Sequence, residues 1–173
     1  HEATMGDVHW YDYSSDLYEV SNFPRPRFLS EFGVQSQSSL ISYSAVSQSI
    51  DWSWNSDLML FRQHHPDGNQ QMIDQISMHF NQPNSTNQTL LFSDQIYLSQ
   101  VSQSMIYTTA FHHWRRIQSE KGYCKGIIYW QLNDQWQAPS WSSIEYNGRW
   151  KMTHNHVSNA YEQRLISGYL TPL

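Results

Sequence analysis

Cysteine and charged residues are scarce in this sequence. Among 173 residues there is one cysteine, Cys124, so neither an intrachain disulfide nor a cysteine-based zinc site can form. Charged residues make up 14% of the chain, with 10 Lys and Arg against 15 Asp and Glu and no basic run. Because phosphate binding needs clustered positive charge, no nucleic-acid partner is expected. No segment approaches the roughly 20 apolar residues of a membrane span, so no membrane partner is expected either.

Several common catalytic motifs are also missing. The chain has no G-x-S-x-G elbow, no Gly-rich phosphate loop and no H-E-x-x-H pair. Its histidine pairs, His64-His65 and His112-His113, are adjacent in sequence. Neighbouring residues on a helix point about 100° apart, so the second pair is a poor chelate. We therefore expect no metal and no cofactor.

Aromatic residues, in contrast, are abundant. They form 15% of the chain, with 8 Trp and 11 Tyr. Flat rings with little surrounding charge suit a cleft that stacks on sugar rings, although a bulky aromatic core explains about half of them equally well. Two adjacent N-glycosylation sequons, at Asn84 and Asn87, mildly favour a secretory route.

The hydrophobic pattern predicts an α/β protein. Three strands are predicted, at residues 6–13, 27–32 and 126–132. Helices are predicted at about 72–80, 94–118 and 150–163, with short helical turns within 34–57 and a polar loop at 81–89. Strands that alternate with helices are typical of a parallel sheet, and the chain is long enough for one domain but short of the roughly 250 residues of a complete (β/α)8 barrel.

One carboxylate stands at a predicted strand end. Glu31 follows the apolar run Phe28-Leu29-Ser30, and Gly33 ends the strand. Such a carboxylate is either a solvated residue or a catalytic group, and the residues alone leave both interpretations open. Polar and aromatic groups at the other two strands favour catalysis, because parallel barrels collect their catalytic groups at strand C-termini. These groups are His9 in the first strand and Trp130, Gln131, Asn133 and Asp134 in or after the third.

Four segments carry a resemblance to a known family. They are "GDVHWYDY", "RFLSEFGVQS", "RQHHPDGNQQM" and "YWQLNDQWQAPSWSSIEYNGRWKM". Together they resemble the lysosomal-type β-mannosidases of glycoside hydrolase family 2, over about residues 6 to 160. The resemblance implies a partial (β/α)8 TIM barrel: residues 1–160 would form its last three strands with their helices. Residues 161–173 would be an exit segment towards a following β-sandwich domain.

The resemblance also implies site residues and a reaction. Glu31 would be the nucleophile of a retaining exo-β-mannosidase, which removes terminal β-D-mannose from the non-reducing ends of oligosaccharides and glycoproteins. Trp130 would form the hydrophobic floor of the mannose subsite, with core packing as its alternative role. His9 and Tyr11 would hydrogen-bond the nucleophile. Further substrate-binding candidates on the loop after the third strand are Asn133, Asp134 and Trp136.

A second carboxylate is expected to come from outside this sequence. In the family the acid/base is a glutamate preceded by asparagine, and no Asn-Glu pair occurs in the chain. The chain is therefore expected to lack hydrolytic activity alone and to need the N-terminal part of the same enzyme. The first strand is expected to expose an apolar flank towards that missing part. Glu145 is the next carboxylate to test if Glu31 proves inert.

Rival interpretations are another family 2 glycosidase, such as a β-galactosidase or β-glucuronidase, or a non-catalytic carbohydrate-binding or structural fragment. A lysosomal or secreted location follows from the resemblance and the two sequons.

Overall fold

The computed structural model describes residues 5–119 and 124–170, and helices dominate this part of the chain. Its two strands are β1 (Asp7–Trp10) and β2 (Phe28–Phe32). Its α-helices are α1 (Leu40–Ser44), α2 (Asp57–Arg62), α3 (Gly68–His79), α4 (Gln88–Arg116) and α5 (Met152–Ala160). Short 3-10 turns lie at Val20–Asn22, Ser49–Asp51 and Ile117–Ser119.

The two strands pair in parallel, as predicted from the sequence. His9 lies opposite Glu31 and Trp10 lies opposite Phe32, with an irregularity of register between Val8 and His9. This register places the ends of both strands at one edge of the sheet, where Glu31 is found.

The third predicted strand, 126–132, is correct in position but not as a regular strand. Ile127 forms an isolated parallel bridge with Leu29, and the Trp130 N–H donates to the Phe32 carbonyl at 2.7 Å. The peptide between Trp130 and Gln131 is cis. Residues 126–130 hydrogen-bond to the backbone of β2, whereas residues 131–132 hydrogen-bond to the backbone of residues 141–144, so the segment changes partner before it can form a regular ladder.

The long helix α4 covers the strands and supplies the larger core. Its Trp114 ring packs edge-on to Phe32, with ring centroids 4.7 Å apart, and its indole N–H donates to the Pro24 carbonyl. The helix begins at Gln88, six residues before the predicted start, because the Asn87 side chain caps it by accepting from the Leu90 N–H. The core consists of fourteen buried residues: Leu17, Phe23, Leu29, Phe32, Val34, Ile106, Tyr107, Ala110, Phe111, Trp114, Ile117, Cys124, Val157 and Ala160.

A second, smaller core forms within the connection from β2 to α4. Helices α1, α2 and α3 bury apolar side chains against the first half of α4. Its members are Tyr43, Trp54, Met59, Met72, Ile76, Phe92 and Ile96. The predicted helix at 72–80 corresponds to α3 at 68–79, and the predicted final helix at 150–163 is the shorter α5.

The third segment exposes an apolar face. Ile128, Trp130 and Leu132 are 51%, 43% and 56% exposed, whereas the alternate residues Ile127 and Tyr129 pack against the larger core. On β1 the exposed positions are the polar Asp7 and His9, so the expected apolar flank of the first strand is wrong. The exposed apolar surface therefore lies on the third segment, residues 126–132, and not on β1.

No helix within residues 5–119 and 124–170 combines the length and apolarity needed to cross a membrane.

Candidate active site

Glu31 lies at the carboxyl end of β2 and is partly open to solvent, with 28% of its side chain exposed. The Tyr11 hydroxyl donates a hydrogen bond of 2.8 Å to Glu31 Oε1. On the other oxygen, His9 Nδ1 lies 3.8 Å from Oε2, and the second ring nitrogen of His9 lies 3.5 Å from Asp7. His9 and Tyr11, the two residues predicted to hydrogen-bond Glu31, therefore lie beside it.

The hydroxyl of Tyr11 keeps its proton under ordinary conditions. Burial raises the pKa of Tyr11 well above its usual value of 10, and the hydrogen bond to Glu31 raises it further. Tyr11 is consequently a permanent donor to the carboxylate, which it orients and whose charge it stabilises.

Replacing Tyr11 with phenylalanine in the full-length protein is expected to lower kcat about tenfold and leave KM within about twofold, because Glu31, the nucleophile that the resemblance implies, would lose one charge-stabilising donor. Steady-state kinetics with an aryl β-mannoside would measure this effect. Tyr97 on α4 is exposed and serves as the control, since its change to phenylalanine should alter neither constant. An unchanged kcat in the Tyr11 variant would remove Tyr11 from the site.

Gly33 allows the third segment to approach β2 beside the carboxylate. A Cβ at this position would collide with the Trp130 carbonyl oxygen and lie 2.8 Å from Cδ1 of Trp141. The Trp130 carbonyl also accepts from the Tyr107 hydroxyl at 2.9 Å. The sequence Glu31-Phe32-Gly33 thus combines a carboxylate with the close contact that fixes the Trp130 backbone, while the Trp130 ring stays partly exposed.

Four rings extend from Glu31 along the rim, and we call them the aromatic wall: Tyr11, Tyr13, His65 and Trp141. Tyr11 is stacked with Tyr13 at 6.3 Å between centroids and meets the Trp141 ring edge-on at 6.3 Å. Trp141 donates its indole N–H to the Tyr13 hydroxyl at 3.0 Å, and His65 lies 4.4 Å from the Tyr13 ring. The wall is continuous because each ring contacts the next.

Beyond the wall lies an open cleft of about 500 Å³, between residues 62–65 and 131–141. His65 and Trp141 belong to both the wall and the cleft. On the far side the guanidinium of Arg62 lies 4.5 Å above the Trp136 ring, and His64 meets the same ring edge-on at 4.9 Å. The cleft therefore has aromatic sides, and the aromatic wall lies between it and Glu31.

The other predicted site residues are divided by burial. Trp136 lines the cleft, and Asn133 is exposed next to it with its side chain donating to the Asp134 carbonyl at 3.1 Å. Asp134 reaches the cleft edge but is only 4% exposed, because its carboxylate accepts from Ser38 and Ser140. We therefore assign Asp134 to the support of the loop rather than to substrate binding.

Glu145 is unsuited to replace Glu31. It is 1% exposed, and its carboxylate accepts from the Ser39 N–H at 2.8 Å, from the Ser39 hydroxyl at 2.7 Å and from the Ser42 hydroxyl. Lys151 is also fully buried. Burial lowers the pKa of its ammonium group, whereas the negative charges of Asp134 and Glu145 raise it. Neither Glu145 nor Lys151 lines the cleft described above.

Sequence reasoning missed Tyr13, Arg62 and Trp141 as site residues. All three stood within the segments that carry the resemblance, but no spacing rule joins Tyr13 and Trp141, which are 128 positions apart. Arg62 lies at the end of α2, in a stretch whose helices the hydrophobic pattern barely indicates. The sequons Asn84 and Asn87 are both exposed, and within the described residues no three His, Cys, Asp or Glu side chains form a group that could hold a metal ion.

Comparison with known proteins finds β-mannosidases among the relatives of this chain. No protein-family model matches the chain. It is 46% identical over 173 residues to the "Beta-mannosidase" of Bos taurus and 44% identical over 168 residues to that of Mus musculus, covering 98% and 95% of this chain. The "Beta-mannosidase A" of Aspergillus terreus is 31% identical over 179 residues, covering 95% of this chain. The crystal structure of a β-D-mannosidase from Dictyoglomus thermophilum matches 90% of this chain and 18% of its own, with a TM-score of 0.76 and 27% identity.

Fold and relatives together show which class of protein this chain is similar to, namely a segment of a glycosidase. More particularly, the chain is related along nearly its whole length to the β-mannosidases, and the resemblance seen in the sequence is confirmed. It spans about a fifth of the length of these curated relatives, 20% of the bovine and 19% of the murine enzyme.

Proposed function

We propose that this chain is the nucleophile-bearing segment of a retaining exo-β-mannosidase, with Glu31 as the nucleophile. One observation carries the proposal. Glu31 is a partly exposed carboxylate at a strand end, held by Tyr11 and His9, in a chain whose relatives are β-mannosidases. The substrate would be a terminal β-D-mannose at the non-reducing end of an oligosaccharide or glycoprotein glycan.

In this reaction the Glu31 carboxylate attacks the anomeric carbon, the glycosidic C–O bond breaks, and a covalent mannosyl-enzyme forms. An acid elsewhere in the enzyme protonates the departing oxygen. The same group, now a base, activates the water that releases mannose with its original β-configuration. Retaining enzymes hold the two carboxyl groups about 5–5.5 Å apart. Since the Asn-Glu pair that marks the acid in this family is not found in the chain, the isolated segment is proposed to be inactive.

The fold supports a piece of a larger barrel. Parallel pairing of β1, β2 and the third segment, covered by α4, is the local arrangement of a (β/α)8 barrel. The exposed face of Ile128, Trp130 and Leu132 is the surface that the remaining strands would cover. Trp130 would then form the hydrophobic base of the mannose subsite. Residues 161–170 have no helix or strand and agree with an exit segment, and 171–173 lie outside the described residues.

A lysosomal or secreted location is part of the same proposal. Both sequons lie on the surface, in and next to the loop that ends at the start of α4, where a glycan would meet no packed core.

The test is an activity measurement on the full-length protein that contains this segment. It should hydrolyse an aryl β-mannoside and leave the corresponding β-galactoside and β-glucuronide intact, and NMR of the first-formed sugar should show β-mannose. The segment expressed alone should show no hydrolysis. Preferred cleavage of a galactoside or glucuronide would assign the protein to another family 2 glycosidase, and no hydrolysis by the full-length protein would favour a binding or structural role.

A further inference from the structure

A buried cluster of charges lies behind the rim, and the proposed reaction does not use it directly. Lys151, which precedes helix α5, is 0% exposed, and the carboxylates of Asp134 and Glu145 belong to residues that are 4% and 1% exposed. Burying charges costs free energy, and apolar side chains of similar volume often give equal stability. The cluster is therefore better explained by the geometry that it imposes than by the net stability that it adds.

The Lys151 ammonium group faces one backbone junction. Ser36, which lies beyond the end of β2, and Ser140 form an antiparallel bridge whose two N–H to carbonyl distances are 2.9 and 3.0 Å. Lys151 Nζ donates to the Ser36 carbonyl at 3.2 Å and lies 3.5 Å from the Ser140 carbonyl oxygen. Asp134 accepts from the hydroxyl of the same Ser140. One cation thus joins the segment after β2 to the loop that carries Trp141.

Trp141 connects this bridge to the residues around Glu31. It follows Ser140 directly in the chain, and its indole N–H donates to the Tyr13 hydroxyl at 3.0 Å. Its ring also meets the Tyr11 ring edge-on, with centroids 6.3 Å apart. Tyr11 in turn donates to Glu31 Oε1 at 2.8 Å. A displaced bridge would therefore displace the donor that holds the carboxylate.

We propose that Lys151 is a positioning residue for the reaction at Glu31: it acts through the bridge and Trp141 and fixes the place of Tyr11 against the carboxylate. The inference rests on the proposed function and adds to it a residue that lies outside the cleft. The rate of such a reaction is sensitive to placement, because a displacement of about 1 Å can cost about 100-fold.

Lys151→Met in the full-length protein is expected to lower kcat for an aryl β-mannoside about tenfold and to leave KM within about twofold. The donor to the nucleophile is displaced in this variant, whereas the groups proposed to bind mannose are unchanged. Lys125→Met is the matched control and should change neither constant. Lys125 is an exposed lysine whose ammonium donates to the Gln118 carbonyl at 3.0 Å, at the other end of the third segment.

A double-mutant cycle distinguishes positioning from a purely structural role. Once Tyr11→Phe has removed the donor, Lys151→Met has no donor left to displace, so the double variant should lose about tenfold in kcat, as each single variant does. Independent effects would multiply to about 100-fold, and so would a loss of folded protein added to the Tyr11 effect.

Multiplied losses in the double variant, or an unchanged kcat in Lys151→Met, would overturn the inference and leave the mannosidase assignment intact. Absence of hydrolysis by the unmodified full-length protein would instead refute the proposed function, and the inference with it.

Tyr13→Phe replaces Lys151→Met if that variant does not fold. It removes the acceptor of the Trp141 indole N–H at the rim and leaves the buried charges in place. The expected loss in kcat is about threefold, and it should disappear when Tyr11→Phe is already present. An unchanged kcat in Tyr13→Phe, or the same threefold loss in the Tyr11→Phe background, would overturn the inference.

Discussion

Glu31→Ala in the full-length protein is expected to lower kcat for an aryl β-mannoside by about 10³-fold or more, because the attacking atom is removed. The melting temperature should stay within a few degrees of the unmodified protein. Glu31 is partly exposed, and its described contacts are one hydroxyl and one histidine at the rim. Mannose binding should persist, since the proposed base of the subsite, Trp130, is unchanged.

Azide or formate is expected to restore part of the cleavage in this variant. The small anion occupies the space left by the carboxylate and attacks from the same side, and with azide the product is an α-mannosyl azide of inverted configuration. NMR of the product distinguishes this outcome from water attack. Glu19 supplies the control, because it is an exposed glutamate outside the site and its change to alanine should not affect kcat. Near-normal turnover of the Glu31 variant, or rescue that gives only a β-configured product, would show that Glu31 is not the nucleophile.

The sequence was sufficient to predict the position of Glu31 because strand ends are local features. An apolar run followed by a carboxylate and a glycine gives both the strand and its end. The neighbours of Glu31 also followed once β1 and β2 were taken as parallel, since His9 lies opposite Glu31 in the register. The third strand could not be predicted in detail, because its geometry depends on what lies on its open side and on the backbone contact at Gly33.

The hydrophobic pattern did not predict the structure of the connection from β2 to α4, for a different reason. Its core residues are separated by serine and glutamine, which normally indicate surface. Here Ser36, Gln37 and Ser38 are buried, and each makes a hydrogen bond with a side chain from a distant segment. Hydrogen-bonded polar side chains can fill an interior, but their partners are found only when the chain is folded. The cleft and the aromatic wall depend on long-range contacts of the same kind, so they could not be predicted from the sequence either.

The same contacts explain why a second glutamate has a different role. Glu145 is expected to be essential for the fold and dispensable for the chemistry. Its carboxylate accepts one N–H and two hydroxyl hydrogen bonds from Ser39 and Ser42, at the start of helix α1. It is also one of two buried anions that favour the protonated form of Lys151.

Glu145→Ala in the full-length protein is therefore expected to destabilise the segment by about 3–5 kcal/mol, because it leaves buried donors and a buried cation without this partner. Denaturant unfolding followed by tryptophan fluorescence would measure the loss. Ser42→Ala, which removes one donor and leaves the carboxylate bonded to Ser39, should cost about 1 kcal/mol. The folded fraction of the Glu145 variant, measured at low temperature, should retain a kcat within about twofold of the unmodified protein. A Glu145 variant of normal stability without turnover would reverse the assignment of the two glutamates.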